Sequence, residues 1–233
     1  HQLFFNKKIT NLVFSFYSFF AISMTINMFI TGGRAGQVVF FVMLAILIFQ
    51  VLDKQRIKSL LAILIVIPGI FLTAYQTSDL FQNRVDLAVK ETSNYSDEAY
   101  SSVGLRINFA LNSWHAVKKN PFIGVGTGDF PVEYSKINQI ISPSRPNTTN
   151  PHNMYILIIM QSGLVGLFSM LSIFYYQIRL SVNSPKKFIR DTGVTLPLMF
   201  LVLMMSDSYL LGHYTTLMFI FFSSFLYKDF EKS

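Results

Sequence analysis

The chain reads as an all-α polytopic membrane protein, a bundle of about six transmembrane helices with one large extracytoplasmic loop that carries short helices. Three observations predict this. Composition comes first: 52% of the residues are hydrophobic, only 13% are charged, and the 24 phenylalanines outnumber any charged residue type, a profile far from that of a water-soluble domain. Long apolar runs without charge come second, and the placement of basic residues in the short segments between those runs comes third.

Crossing about 30 Å of hydrocarbon takes roughly 20 mostly apolar residues. The runs Val13 to Ile30, Gln37 to Leu52, Leu60 to Tyr75 and Met154 to Tyr176 meet or approach that length. Val194 to Met205 and Tyr214 to Tyr227 are shorter, and the polar Ser206-Asp207-Ser208 and His213 separate them, so they read as a final hairpin. Between the third and fourth runs lies Gln76 to Pro151, too long and too polar for a turn and holding most of the prolines. The organisation that follows is three spans over 1–75, an external segment with amphipathic helices over 76–151, and three spans with a cytoplasmic tail over 152–233.

Orientation follows from the short loops, because Lys and Arg concentrate on the cytoplasmic side. Lys7 and Lys8, then Lys54, Arg56 and Lys58, then Arg179, Lys186, Lys187 and Arg190, and finally Lys228 and Lys232 all fall on one side of a six-span chain. The opposite side receives Thr31 to Gly36, Gln76 to Pro151 and the turn around Asp207 to His213. The net charge of +7 thus has a topological cause, and no nucleic-acid partner is expected. There is no cysteine, hence no disulfide framework, thiolate nucleophile or Cys-based metal site. The sequence starts at His1 without a signal-peptide pattern, and a missing N-terminal portion is expected.

Chemistry-bearing residues gather in the external segments. Arg34 stands in Thr31-Gly32-Gly33-Arg34-Ala35-Gly36 at the mouth between two apolar runs, where a guanidinium can hold phosphate oxygens in a bidentate fork. The same residue type also suits a snorkelling arginine in a tight turn. Arg106 opens Leu105 to Lys119, a predicted helix that stops before Asn120-Pro121. Its apolar members include Phe109, Trp114 and Val117, while Asn108, Asn112, His115 and Lys119 share a polar stripe. Such a helix lies on the membrane surface or over a cavity, and a solvated arginine at its start is the plain alternative for Arg106.

The run Pro121-Phe122-Ile123-Gly124-Val125-Gly126-Thr127-Gly128-Asp129-Phe130 has alternating glycines but neither the spacing of a dinucleotide loop nor a phosphate-binding lysine, so a backbone bend that supports the site is expected. His152, in Asn150-Pro151-His152-Asn153 just before the fourth run, can accept a proton from an attacking hydroxyl near neutral pH. Asn and Pro are also ordinary occupants of a helix start. His115 and His213 read as structural or lining residues. The external acids Asp79, Asp86, Glu91, Asp97, Glu98, Asp129 and Glu133 show no ligand spacing, so no metal and no other cofactor is expected.

Taken together the pattern resembles the O-antigen ligase and O-antigen polymerase family, over nearly the whole chain. The segments that carry the likeness are His152-Asn153-Met154-Tyr155-Ile156-Leu157 continuing to Gln161-Ser162-Gly163-Leu164-Val165-Gly166-Leu167, then Arg34 after an apolar run, then Arg106 leading into Trp114 and Asn120-Pro121-Phe122-Ile123-Gly124-Val125-Gly126. Gln161, where many relatives carry an acid, and Gly33, where a serine is common, depart from the pattern.

The resemblance implies an enzyme of the bacterial inner membrane with its site facing the periplasm, and metal-independent glycosyl transfer from an undecaprenyl-diphosphate-linked glycan to an acceptor hydroxyl. Lipid A-core is the favoured acceptor, with O-antigen polymerase or protein O-oligosaccharyltransferase as alternatives. By analogy Arg34 and Arg106 bind the diphosphate and His152 orients or deprotonates the acceptor. A glycan transporter or flippase is the reading from a different class, and it fits less well because the four clear runs lack the intramembrane ionisable residues of ion-coupled carriers.

Overall fold

The structure is a computed structural model that describes residues 11–31, 33–52, 55–93 and 100–227. Lys7, Lys8, Gly32, Lys54, Asp97, Glu98, Lys228 and Lys232 lie outside the described residues. Every regular element among those described is helical. The elements are α1 (Asn11–Ile30), α2 (Arg34–Val51), α3 (Arg56–Thr77), α4 (Asp79–Ser93), α5 (Ser102–Lys119), α6 (Phe130–Ile141), α7 (Met154–Val182), α8 (Lys187–Leu203) and α9 (His213–Leu226). A 3-10 turn over Tyr209–Leu211 precedes α9. Helices α1, α2, α3 and α7 are long and apolar enough to cross a membrane, and they are the four clear runs of the sequence. The final hairpin is present as two shorter helices, α8 and α9.

Packing divides the chain after Leu87, within α4. In the first unit α1, α2 and α3 lie side by side, and a cluster of rings joins them. Phe29 meets Phe40, Phe41 and Phe81 with centroids 5.6, 5.9 and 5.1 Å away, and Phe71 meets Phe41 and Phe81 at 6.1 and 5.4 Å. Edge-to-face pairs at such distances stabilise beyond simple burial, by about 0.5–1.5 kcal/mol each. Most other large side chains of α1 are exposed, Leu12, Phe19 and Met24 among them, as befits a helix whose solvent is lipid.

The second unit has one core that runs from the short helices into the membrane helices. Phe109, Val117, Phe130 and Tyr134 of α5 and α6 share it with Met154, Leu157 and Met160 of α7 and with Phe200 of α8. The long polar segment between α3 and α7 is therefore no loose loop. Two of its helices, α5 and α6, pack onto the start of α7.

Two boundaries differ from the sequence reading. Helix α8 begins seven residues earlier than the apolar run, at Lys187, so Lys187 and Arg190 belong to its first turn and not to a loop. Asp191 explains this, since its buried carboxylate lies 3.5 Å from Lys187 and 3.8 Å from Arg190, and charge pairing carries the helix across a polar start that hydropathy alone cuts off. Helix α5 starts at Ser102, capped by the Ser101 hydroxyl that accepts from the Gly104 amide at 3.1 Å. Arg106 consequently sits in the second turn and does not open the helix.

Candidate functional site

The start of α7 and the end of α8 interlock, and that junction holds His152. A helix leaves its first amides and last carbonyls without internal partners. Here the two helices supply each other. The Met154 amide donates to the Met204 carbonyl at 2.9 Å, Asn153 Nδ2 donates to the Met205 carbonyl at 3.1 Å, and the Tyr155 hydroxyl donates to the Leu201 carbonyl at 2.6 Å. Asn153 Oδ1 caps α7 by accepting from the amides of Tyr155 and Ile156 at 3.0 and 3.1 Å, worth about 1 kcal/mol for a cap of this type.

Immediately before that cap the backbone reverses. Pro151 is fully buried, and His152 takes φ 52, the one positive φ among the described non-glycine residues. Asn150 holds the reversal, since its Oδ1 accepts from the His152 amide at 2.9 Å in an Asx turn. The strained backbone turns the imidazole toward Asp207, with Nδ1 3.2 Å from Oδ1. Asp207 Oδ1 also accepts from Asn150 Nδ2 at 3.3 Å and from the Ser208 amide at 2.7 Å, and the Ser208 hydroxyl donates to Asn150 Oδ1 at 2.7 Å. Four side chains from two segments therefore close one hydrogen-bonded cluster.

Its chemistry follows from the histidine's two nitrogens. A carboxylate at Nδ1 favours the tautomer with the proton on that atom, which leaves Nε2 as the basic nitrogen, and the same carboxylate stabilises the imidazolium once Nε2 takes up a proton. His152 and Asp207 remain 39% and 38% exposed at their side chains, so the pair is ordered yet open to a substrate.

Phe109 of α5 lies against the imidazole with ring centroids 6.2 Å apart and planes 28° from parallel. It contacts Tyr134 edge-on at 5.9 Å, and Tyr134 stacks on Phe130 at 5.6 Å. Behind these rings lies a buried polar lattice. Asn112 Nδ2 donates to Asn138 Oδ1 at 3.0 Å and to the Tyr134 hydroxyl at 3.3 Å, Asn108 Nδ2 donates to the same hydroxyl at 3.4 Å, and the Ser142 hydroxyl donates to Asn108 Oδ1 at 3.1 Å. Burial pushes the Tyr134 hydroxyl above its ordinary range, partly offset by the Asn112 and Asn108 donors, so it serves as a neutral acceptor.

This lattice corrects the expected polar stripe on α5. Asn108 and Asn112 face inward onto α6, His115 and Lys119 are exposed, and Trp114 is exposed as well. The asparagines are compensated by donors and acceptors on α6, which a one-helix reading does not contain. Arg106, one turn before Phe109 on α5, is exposed and makes no hydrogen bond or ion pair among the described residues. The fold therefore brings Phe109 onto His152 and leaves Arg106 one turn away from that contact.

Arg34 belongs to the first unit as the first residue of α2. Gln37, three residues on, is buried and donates from Nε2 to the carbonyls of Met28 and Thr31 at 3.3 Å each, closing off the end of α1 and fixing the turn that carries the arginine. His213 begins α9 and is exposed, outside the cluster around His152. Sequence reasoning missed Asp207 and Phe109 as parts of the site. For Asp207 the available signal was an acid in the polar break between two apolar runs.

The glycine run after α5 forms a bend that docks on α7. Helix α7 is interrupted at Gly163, whose φ 62 and ψ −161 are not helical. The amides of Val125 and Gly126 donate to the carbonyls of Met160 and Gln161 at 2.9 and 3.0 Å, and those of Leu164 and Val165 donate to Pro121 and Phe122 at 2.8 and 3.2 Å. A Cβ at Gly163 would stand 2.2 Å from the Phe122 carbonyl carbon, and one at Gly124 would stand 2.4 Å from that of Gln161. Both positions also have positive φ, so glycine is required at each.

The fold and this site together define a helical membrane protein whose capped spanning helix carries an ordered histidine–aspartate pair. The model of the O-antigen ligase family matches residues 19–171, well over half of the chain, and the chain belongs to that family, which supports glycosyl transfer of the O-antigen ligase and polymerase type in the membrane. No curated protein matches the chain.

Proposed function

We propose that this protein transfers a glycan from undecaprenyl diphosphate to a hydroxyl of lipid A-core on the periplasmic face of the inner membrane, without a metal. The observation that carries this reading is the His152–Asp207 pair at the start of a spanning helix. That is where a lipid-linked donor presents its diphosphate and first sugar, because the polyprenyl tail stays in hydrocarbon while the polar group stays in water.

In the proposed reaction the acceptor hydroxyl gives its proton to His152 Nε2, its oxygen bonds to the anomeric carbon, and the bond from that carbon to the diphosphate breaks with the electron pair leaving on the phosphate oxygen. Asp207 steadies the imidazolium. Arg106 and Arg34, assigned by family resemblance, neutralise the departing diphosphate, a role suited to bidentate guanidinium forks. The exposure of Arg106 suits a residue that receives an anionic substrate. Removing one such pre-organised group costs a few kcal/mol, roughly a hundred-fold or more in rate.

The test is complementation of a ligase-deficient strain by the full-length protein with His152→Ala, at matched membrane abundance, with surface glycan as readout. Loss of attachment, with long glycan retained on the carrier lipid, is the expected result. Single-repeat units on lipopolysaccharide would identify a polymerase instead, and wild-type attachment would remove His152 from the mechanism.

A further inference from the structure

The bend between α5 and α6 carries two large apolar side chains on its outer side, Phe122 at 68% exposure and Ile123 at 76%. Nothing in the proposed chemistry uses them. Two adjacent side chains of this size are unfavourable in water.

Their depth can be read from α7. Gly163 precedes Arg179, the basic residue of its last turn, by sixteen residues, a rise of about 24 Å at about 1.5 Å per residue. The hydrocarbon core is about 30 Å thick. With Arg179 at one boundary, Gly163 falls inside the core, near the opposite boundary, while Met154 and His152 stand beyond it. The bend is held at that level by the Leu164 and Val165 amides, which donate to the carbonyls of Pro121 and Phe122.

The exposed surface is continuous there. Val165 and Phe168 of the spanning helix are 61% and 66% exposed, and Val165 is bonded through its backbone to Phe122. A break in a helix at this depth also needs its freed carbonyls and amides satisfied by protein, since lipid offers none, and the bend provides four such bonds. Upstream of it, Lys118 and Lys119 are exposed in the last turn of α5, and Trp114 is 51% exposed. Trp and Lys are residue types that settle at the headgroup level.

We propose that Phe122 and Ile123 are inserted into the acyl region of the lipid leaflet at the His152 end of α7, so that the bend is a membrane-dipping element and not a solvated loop. This rests on α7 crossing a bilayer and is independent of the chemistry proposed for His152.

The chain contains no cysteine, so a single introduced one labels cleanly. Ile123→Cys, Phe122→Cys, Val165→Cys and Gln139→Cys are each labelled with a nitroxide in the full chain, reconstituted in vesicles of phosphatidylethanolamine and phosphatidylglycerol. Collision with oxygen, which partitions into lipid, is compared with collision with a water-soluble nickel chelate. Labels at 123 and 122 are expected to match Val165 in favouring oxygen, while Gln139, exposed on α6, favours nickel. A nickel preference at both 122 and 123 would overturn the proposal in favour of a solvated loop. Shielding from both reagents would overturn it in favour of a covering protein segment.

Discussion

Arg34 and His152 both stand at helix starts, yet their surroundings differ in kind. Around Arg34 the Gln37 side chain helps fix the turn, and Gly33 beside it has an ordinary φ of −82, with none of the other described residues beyond its chain neighbours within 4 Å of where a Cβ would sit. Around His152 the backbone is strained, the ring is held by Asp207 and Phe109, and the supporting asparagines are themselves bonded. The difference matches what each group has to do. A guanidinium is always charged and works through position on a long, flexible arm. An imidazole must present one nitrogen in one protonation state along one direction, which takes neighbouring side chains that hold the ring and its backbone in place.

Three substitutions put that contrast to the test. The largest effect is expected from Gly163→Ala, which combines a backbone conformation open essentially to glycine, about 1–3 kcal/mol by itself, with a Cβ 2.2 Å from the Phe122 backbone. The bend should detach from α7, and protection of residues 121–126 from hydrogen exchange should be lost together with folded protein in the membrane. Next comes Asp207→Asn, which keeps the volume and removes the charge facing Nδ1. The turnover number should fall on the order of a hundred-fold while KM for the lipid donor changes little, and a parallel loss of folded protein would instead make the aspartate a structural residue. Smallest is Gly33→Ser, expected within about 0.5 kcal/mol of wild type in stability and unchanged in glycan attachment, because the site is open and its backbone ordinary. A large loss there would mean that the turn at Arg34 is as tightly specified as the one at His152.

The membrane helices were legible because hydropathy over a window as long as the bilayer reports directly on the solvent of a helix. His152 was legible because a histidine-asparagine pair before an apolar run is a local pattern. Asp207 was not, since 55 residues separate it from His152 and only the docking of α8 on α7 brings the two together. The asparagines of α5 misled for a related reason. Periodicity says which residues share a face of a helix, and whether that face meets water or a polar neighbour depends on α6. The interruption at Gly163 is hidden because apolar composition is the same for a continuous helix and a broken one, and the glycines at 124 and 126 predict a bend but not the helix it docks on.

The reciprocal pairing at Gly163 also bears on biogenesis. Residues 121–126 precede α7 in the chain, so the bend that completes the break is synthesised before the helix it completes. Without the bend, the Met160 and Gln161 carbonyls and the Leu164 and Val165 amides would lose the partners that this segment gives them. Folding of the bend and completion of α7 are thereby linked, because each supplies the backbone partners that the other lacks.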